Sequence, residues 1–442
     1  MTSLRHSQAS TSTNLLLRIL DRPGLVAAVR ELPGAVLGQL IERIGLEDAG
    51  ELVALASTAQ LERVFDDDLW RAERAGGDET FRPERFALWL RVMLEAGDDA
   101  VVQRLCELPE ELVALAVHRL VFVIDEDVIE DLLRPGDEES EDLQRALEDS
   151  AFEEWEEFRL IAREPDAWED VWNALLLLDR DHHDQLRGIL QRCCDMSTEF
   201  ISGQGGLFQV LTADEMLESD VAAAREDRRS AEGFVSPADA RAFLELARRR
   251  EAATADERDA ITRAYLRGLA TPTSSKAGGP RSRPGAVPPG DRGGRTAPPA
   301  PARELEELLR EADVSGPAGA GVPLLEALGS GDSKGGESHH VAPLFEGALS
   351  DLRHRNPDLF SERVREVGYL VNVWIAGGAW QGRRPRPVEA LELVLETCEA
   401  GMKVKAPLGS TTVTSEQALA TLIQWPADVL FRHGSGGAAD RR

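Results

Sequence analysis

Leu37, Leu40, Ile41 and Ile44 stand at i, i+3, i+4 and i+7, and no feature limits the possible folds of this chain more than that spacing. A backbone that turns once every ~3.6 residues puts all four side chains on one face, whereas a strand would scatter them over two. The rhythm returns in Leu46, Ala49, Val53 and Ala56, in Leu61, Val64 and Phe65, and in Trp168, Val171, Trp172 and Leu175. The punctuation agrees with it. Pro33 suits a first helical turn and Gly45 a helix end. Ser57 and Ser236 suit N-caps, and Thr212 with Glu215 forms a capping-box pattern. Val, Ile and Thr do not gather into alternating runs. The expected fold class is therefore all-α.

The hexapeptide ELVALA occurs at 51–56 and again at 111–116, and ELP occurs at 31–33 and 107–109. The first pair lies 60 residues apart and the second 76, so no single period fits both. A strict tandem repeat is excluded in favour of one kind of unit reused: a Pro- or acid-started helix of about three turns, then a short connection. The expected organisation is a disordered lead-in at 1–13 and an irregular, solenoid-like helical superhelix at 14–134. A helical continuation with an acidic segment follows at 135–270. Within it, AFEEWEEFRLIARE (151–164) fits a helical face, while FRLIA also fits a short strand. Residues 271–302 hold 14 Gly or Pro, which cannot bury a core, so 271–340 is expected as a flexible linker with a short helix near 302–311. A smaller helical domain is expected at 341–433 and a disordered tail at 434–442.

Net charge is −29, and it is concentrated: Asp125–Asp170 carries 20 acidic residues against four Arg. Such a surface repels phosphate backbones and anionic lipid, which disfavours nucleic-acid and membrane partners, and it favours a basic protein partner. The candidate partner-binding residues are Glu138, Glu139, Glu141, Asp142, Glu153, Glu154, Glu156 and Glu157. The four cysteines, Cys106, Cys193, Cys194 and Cys398, form no C-x-x-C pair and read as reduced, mostly buried thiols of a cytosolic protein. No apolar run approaches the roughly 20 residues of a membrane span. The abundance of Arg over Lys suggests a bacterial source.

Asp179, His182 and His183 stand at i, i+3 and i+4 and form the candidate metal group, since imidazole with carboxylate suits zinc or iron. No second helix offers a matching H-x-x-E or H-E-x-x-H element. The turn GGAWQGRRPRP (377–387) combines Gly, Trp380 and Arg residues ahead of a helix and could hold an anion. It lacks a phosphate-loop pattern. No nucleophile elbow or dinucleotide fingerprint occurs, and no cofactor is expected.

The run LPGAVLGQLIERIGLEDAGELVALASTAQLERVFDDDLW (32–70) resembles the cytosolic N-terminal domain of MgtE-type magnesium transporters, which winds short helices into a superhelix. GLEDAGELVALAS, LFQVLTADEMLESD, GFVSPADARAFL and VGYLVNVWIAGGAWQGRRPRPVEALELVLETC together resemble a family of uncharacterised bacterial proteins known only as a domain of unknown function. That resemblance implies a helical protein and transfers no catalytic residue. The expected function is noncatalytic interaction or scaffolding, the alternative being a metal protein or enzyme built on Asp179, His182 and His183.

Overall fold

The computed structural model describes residues 19, 23–132, 151–202, 212–249, 257–270, 308–309, 342–406 and 413–438. Among them the chain is mostly α-helical, with a two-stranded sheet and a three-stranded antiparallel one. The described residues divide into two compact units. One draws on 1–71, 80–225 and 296–316, the other on 72–79, 226–295 and 317–442. The expected continuation over 135–270 is thus shared between the two units, with the division at Arg225 and Glu226.

The first unit opens with α1 (Pro23–Arg30), α2 (Gly34–Ile44), α3 (Gly50–Leu55) and α4 (Thr58–Asp68). Strands β1 (Trp70–Ala72) and β2 (Glu79–Phe81) form a two-stranded sheet ahead of α5 (Pro83–Ala96). The helices α6 (Asp98–Glu107) and α7 (Glu110–Leu120) follow. α1 packs on α3, α2 on α4 and α3 on α5. Contact with the next helix but one is the stacking a superhelix requires. The expected stripe Leu37, Leu40, Ile41 and Ile44 is buried, as its spacing demands. Ser57 caps α4, accepting from the Gln60 amide at 3.2 Å while Gln60 Oε1 accepts from the Ser57 amide at 2.9 Å. Phe65 meets Trp89 edge to face at 5.0 Å in the core.

Two stretches depart from helix. After α7, β3 (Val121–Asp125) runs into α8 (Glu126–Leu132), and the ambiguous segment 151–164 forms a hairpin of β4 (Phe152–Trp155) and β5 (Phe158–Ala162). The order is β3-β5-β4, with Val123 opposite Leu160 and Glu154 opposite Arg159. The reason is local: Val121, Val123, Leu160 and Phe158 alternate onto one face and join the main core, while Ile124 and Ile161 alternate onto the other and pack with Ile129 of α8. The long α9 (Trp168–Ser202), kinked at His182, packs on α5, α6, α7 and β3. Of the helix expected near 302–311, Leu308 and Leu309 are described; both are helical and buried in this unit. α10 (Ala213–Ala231) starts here and ends in the second unit.

The second unit holds α11 (Pro237–Arg248), α12 (Ala260–Ala270), α13 (Pro343–Arg355), α14 (Pro357–Gly377), α15 (Pro387–Lys405), α16 (Ser415–Gln424) and α17 (Ala427–Ala438). α17 continues through Gly434, where a disordered tail was expected to begin. The physical reason is its crossing with α15: a Cβ on Gly401 would lie 1.8 Å from the Leu430 carbonyl oxygen, and one on Gly434 1.8 Å from that of Thr397. The two backbones touch, and only glycine permits it. The N-cap residue of α13, Ala342, has no side chain that can cap; Glu399 of α15 accepts from the Leu344 and Phe345 amides at 2.8 and 3.2 Å. Two carboxylates are wholly buried. Glu366 receives Arg363 at 3.0 Å, the Ala427 amide at 2.8 Å, and Arg258. Asp428 receives Arg258 Nε at 3.2 Å.

Gly401→Ala is expected to destabilise the protein by at least about 2 kcal/mol, because backbone must move to admit the methyl; chemical denaturation measures it. Burial pushes the Asp428 carboxyl up to about 6, against about 3.9 for an unfolded Asp. A proton held more tightly in the folded state adds stability at low pH, and that contribution fades as pH rises through about 6. The melting temperature of Asp428→Asn, measured relative to the unsubstituted protein, is therefore expected to rise between about pH 4 and pH 7.

Candidate functional site

Two groups of residues singled out in the sequence meet in the first unit. The β4–β5 connection is two residues long, Glu156 and Glu157, and Glu156 takes φ 51°. A positive φ in a two-residue hairpin loop is where glycine is usual, so a glutamate there needs outside support. α9 supplies it. Arg187 Nη1 donates to Glu156 at 2.8 Å and its other terminal nitrogen to Glu157. His183 faces Glu156 with Nε2 at 3.3 Å and Asp179 with Nδ1 at 2.8 Å. Beneath this polar layer Trp155 stacks on Phe158 with ring centres 6.3 Å apart, and the His183 ring lies 5.2 Å from Trp155.

Both imidazole nitrogens of His183 therefore point at carboxylates. The hydrogen bond to Asp179, followed by the charge of Glu156, raises its pKa above the ordinary histidine value. His182 occupies the kink of α9, with non-helical φ −138° and ψ 45°, and is exposed. Among the described residues no group of three His, Cys, Asp or Glu is placed to hold a metal ion. Asp179 and His183, with Arg187, instead form an ion-paired clasp around Glu156, and His182 stands outside it. An i, i+4 pattern cannot reveal that a hairpin delivers a second carboxylate.

The acidic candidates divide. Glu138, Glu139, Glu141 and Asp142 lie outside the described residues. Glu153 is exposed, Glu154 pairs with Arg159 at 3.1 Å, and Glu156 and Glu157 pair with Arg187. Arg159 also reaches Glu126 at 2.5 Å and lies 5.1 Å over the Phe152 ring. Arg163 repeats the device over Phe122 at 4.8 Å. These cation–π covers were missed in the sequence; the aromatic and Arg residues are diagonal neighbours across the strands, legible only once the strands are paired.

Other readings resolve individually. Cys193 and Cys398 are fully buried, and desolvation drives both thiols far above their ordinary pKa; all four cysteines are unpaired in disulfides. In the turn at 377–387, Arg383 binds Glu389 at 2.9 Å and Arg384 binds Glu79 at 3.3 Å, so two of its three arginines are committed to carboxylates. Arg383 holds Glu389 down to about 2. A buried titratable group that the sequence did not flag is His118. Burial lowers it to about 4, Nε2 lies 3.6 Å from Asp214, and Nδ1 has no hydrogen-bond partner among the described residues.

A pKa raised by folding gives stability that is complete below about 6.5 and lost as pH climbs through the folded value. An NMR titration of the His183 ring is therefore expected to show a midpoint above about 6.5, and His183→Ala to abolish that pH dependence. Arg187→Ala is expected to lower stability by no more than about 1 kcal/mol, since its pairs are exposed.

A family model described as "Family of unknown function (DUF6178)" matches residues 2–242, more than half of the chain. No curated protein and no solved structure matches. The likeness of residues 32–70 to the MgtE-type N domain is found by none of these comparisons.

Proposed function

We propose that this chain, which belongs to that family of unknown function, is a noncatalytic cytosolic scaffold whose acidic hairpin binds a basic protein partner. One observation carries the reading. Internal pairing leaves the hairpin with surplus negative charge: Glu126, Glu153, Glu154, Glu156, Glu157 and Asp179 surround Arg159, Arg187 and His183. Glu153 is exposed and pairs with no described basic residue. A surplus of this kind speeds encounter with oppositely charged surfaces and rejects like-charged ones. The 20 acidic residues between Asp125 and Asp170 extend the same field. The helices contribute rigidity, since each is fixed by a buried apolar face.

No helix among the described residues is long and apolar enough to cross a membrane, in keeping with a protein that meets its partner in the aqueous phase. The scaffold reading is tested with the full chain as bait in extracts of the native host. The double variant Glu153→Gln, Glu154→Gln is expected to lose basic partners that the unsubstituted protein retains, and affinity is expected to fall steeply with added salt. Retention of the same partners by the double variant at every salt concentration overturns the proposal.

A further inference from the structure

Among the described residues, the strand β4 has one side without a neighbouring strand. It forms the edge of the sheet, in the order β3-β5-β4. The Ala162 amide donates to the Ala151 carbonyl at 2.8 Å, just beyond the ladder. Hydrogen-bonded pairs alternate along an antiparallel ladder. Glu153–Leu160 and Trp155–Phe158 are therefore the bonded pairs, and the amides and carbonyls of Phe152 and Glu154 point away from β5. No described residue takes them up. Phe152 is 41% exposed beside them.

We infer that an extended, basic segment of a protein partner adds to β4 as a further strand, with its backbone on the Phe152 and Glu154 edge and its Lys or Arg side chains against Glu153 and Glu154. The inference rests on the hairpin as the partner site and supplies the mode of binding. Charge selects the occupant. A second copy of this chain would set glutamates opposite glutamates, which opposes pairing. A basic strand sets opposite charges face to face, about 4.5–5.5 Å apart at Cβ. Alternation divides the recognition: Phe152 and Glu154 stand on one face of the sheet, and Glu153 on the other. The chain already shows the first of these contacts in cis. Arg159, directly across from Glu154 in the register, pairs with that carboxylate at 3.1 Å and covers Phe152 at 5.1 Å. An incoming arginine repeats this pairing from the open side.

The test uses the full chain and a fluorescent peptide alternating Arg with Thr, read by anisotropy. Two further peptides of identical charge carry backbone N-methyl groups on one or the other alternate set of residues. The parent peptide is expected to bind, and one methylated set to bind at least about tenfold more weakly, as the loss of paired backbone donors implies, while the other set binds as the parent does. On the protein side, Glu154→Pro removes an outward donor and leaves the ladder to β5 intact, so it is expected to weaken binding beyond the loss seen in Glu154→Gln. Equal binding of all three peptides overturns strand addition and leaves charge-driven docking standing. Failure of every basic peptide to bind overturns both.

Discussion

The helices of the described residues bury apolar side chains, and covering those side chains is the constraint from which the architecture follows. The stripe on α2 is covered by α4, and that of α3 by α5. Burial at roughly 25 cal/mol per Å² of apolar surface is the dominant favourable contribution, and it is indifferent to sequence order. That indifference lets α9 close the core of the first unit against three helices and a strand that precede it by many residues. Where a helix runs out, the same need for cover recruits strands. β3 and β5 alternate one set of apolar residues into the main core and another set under α8.

Polar groups inside such a core must be matched, and the second unit shows how. Glu366 and Asp428 have no access to solvent, and Arg258, from the stretch just ahead of α12, meets both. Glu399 pairs with Lys403 of its own helix through one oxygen and caps a neighbouring helix with the other. An unpaired buried carboxylate would cost several kcal/mol. These contacts therefore fix which helices can be neighbours more strictly than apolar packing alone does. The glycines at the crossing of α15 and α17 make the same kind of choice by size.

The first unit uses charge at its surface for a different purpose. The hairpin tip places a glutamate in a backbone conformation that favours glycine, and the clasp of Arg187, His183 and Asp179 holds it there. Pairs of this kind contribute little stability each. Their effect is orientation. They point the tip at α9 and leave Glu153 and the outer edge of β4 facing water. An open, acidic strand edge favours oppositely charged surfaces over like-charged ones.

The helical class, the caps at Ser57 and Ser236 and the burial of the cysteines were legible in the residues, because periodicity and capping act over only a few positions. So was the ambiguity of 151–164, where alternation and helical spacing both fit. The metal reading of Asp179, His182 and His183 was not resolvable from the chain alone. Spacing places those side chains on one helix, but only folding brings Glu156 between them and turns His182 out at a kink. The length of α17 was misjudged for the same reason: its glycines look like a tail until α15 is seen to touch them. Which segments coil and which faces must be dry can be read from the residues alone, since these depend on near neighbours. The tertiary structure alone decided which carboxylate meets which arginine, where a short sheet replaces a helix, and which strand edge stays open. Those outcomes hang on contacts between residues far apart in the chain, and no local pattern encodes them.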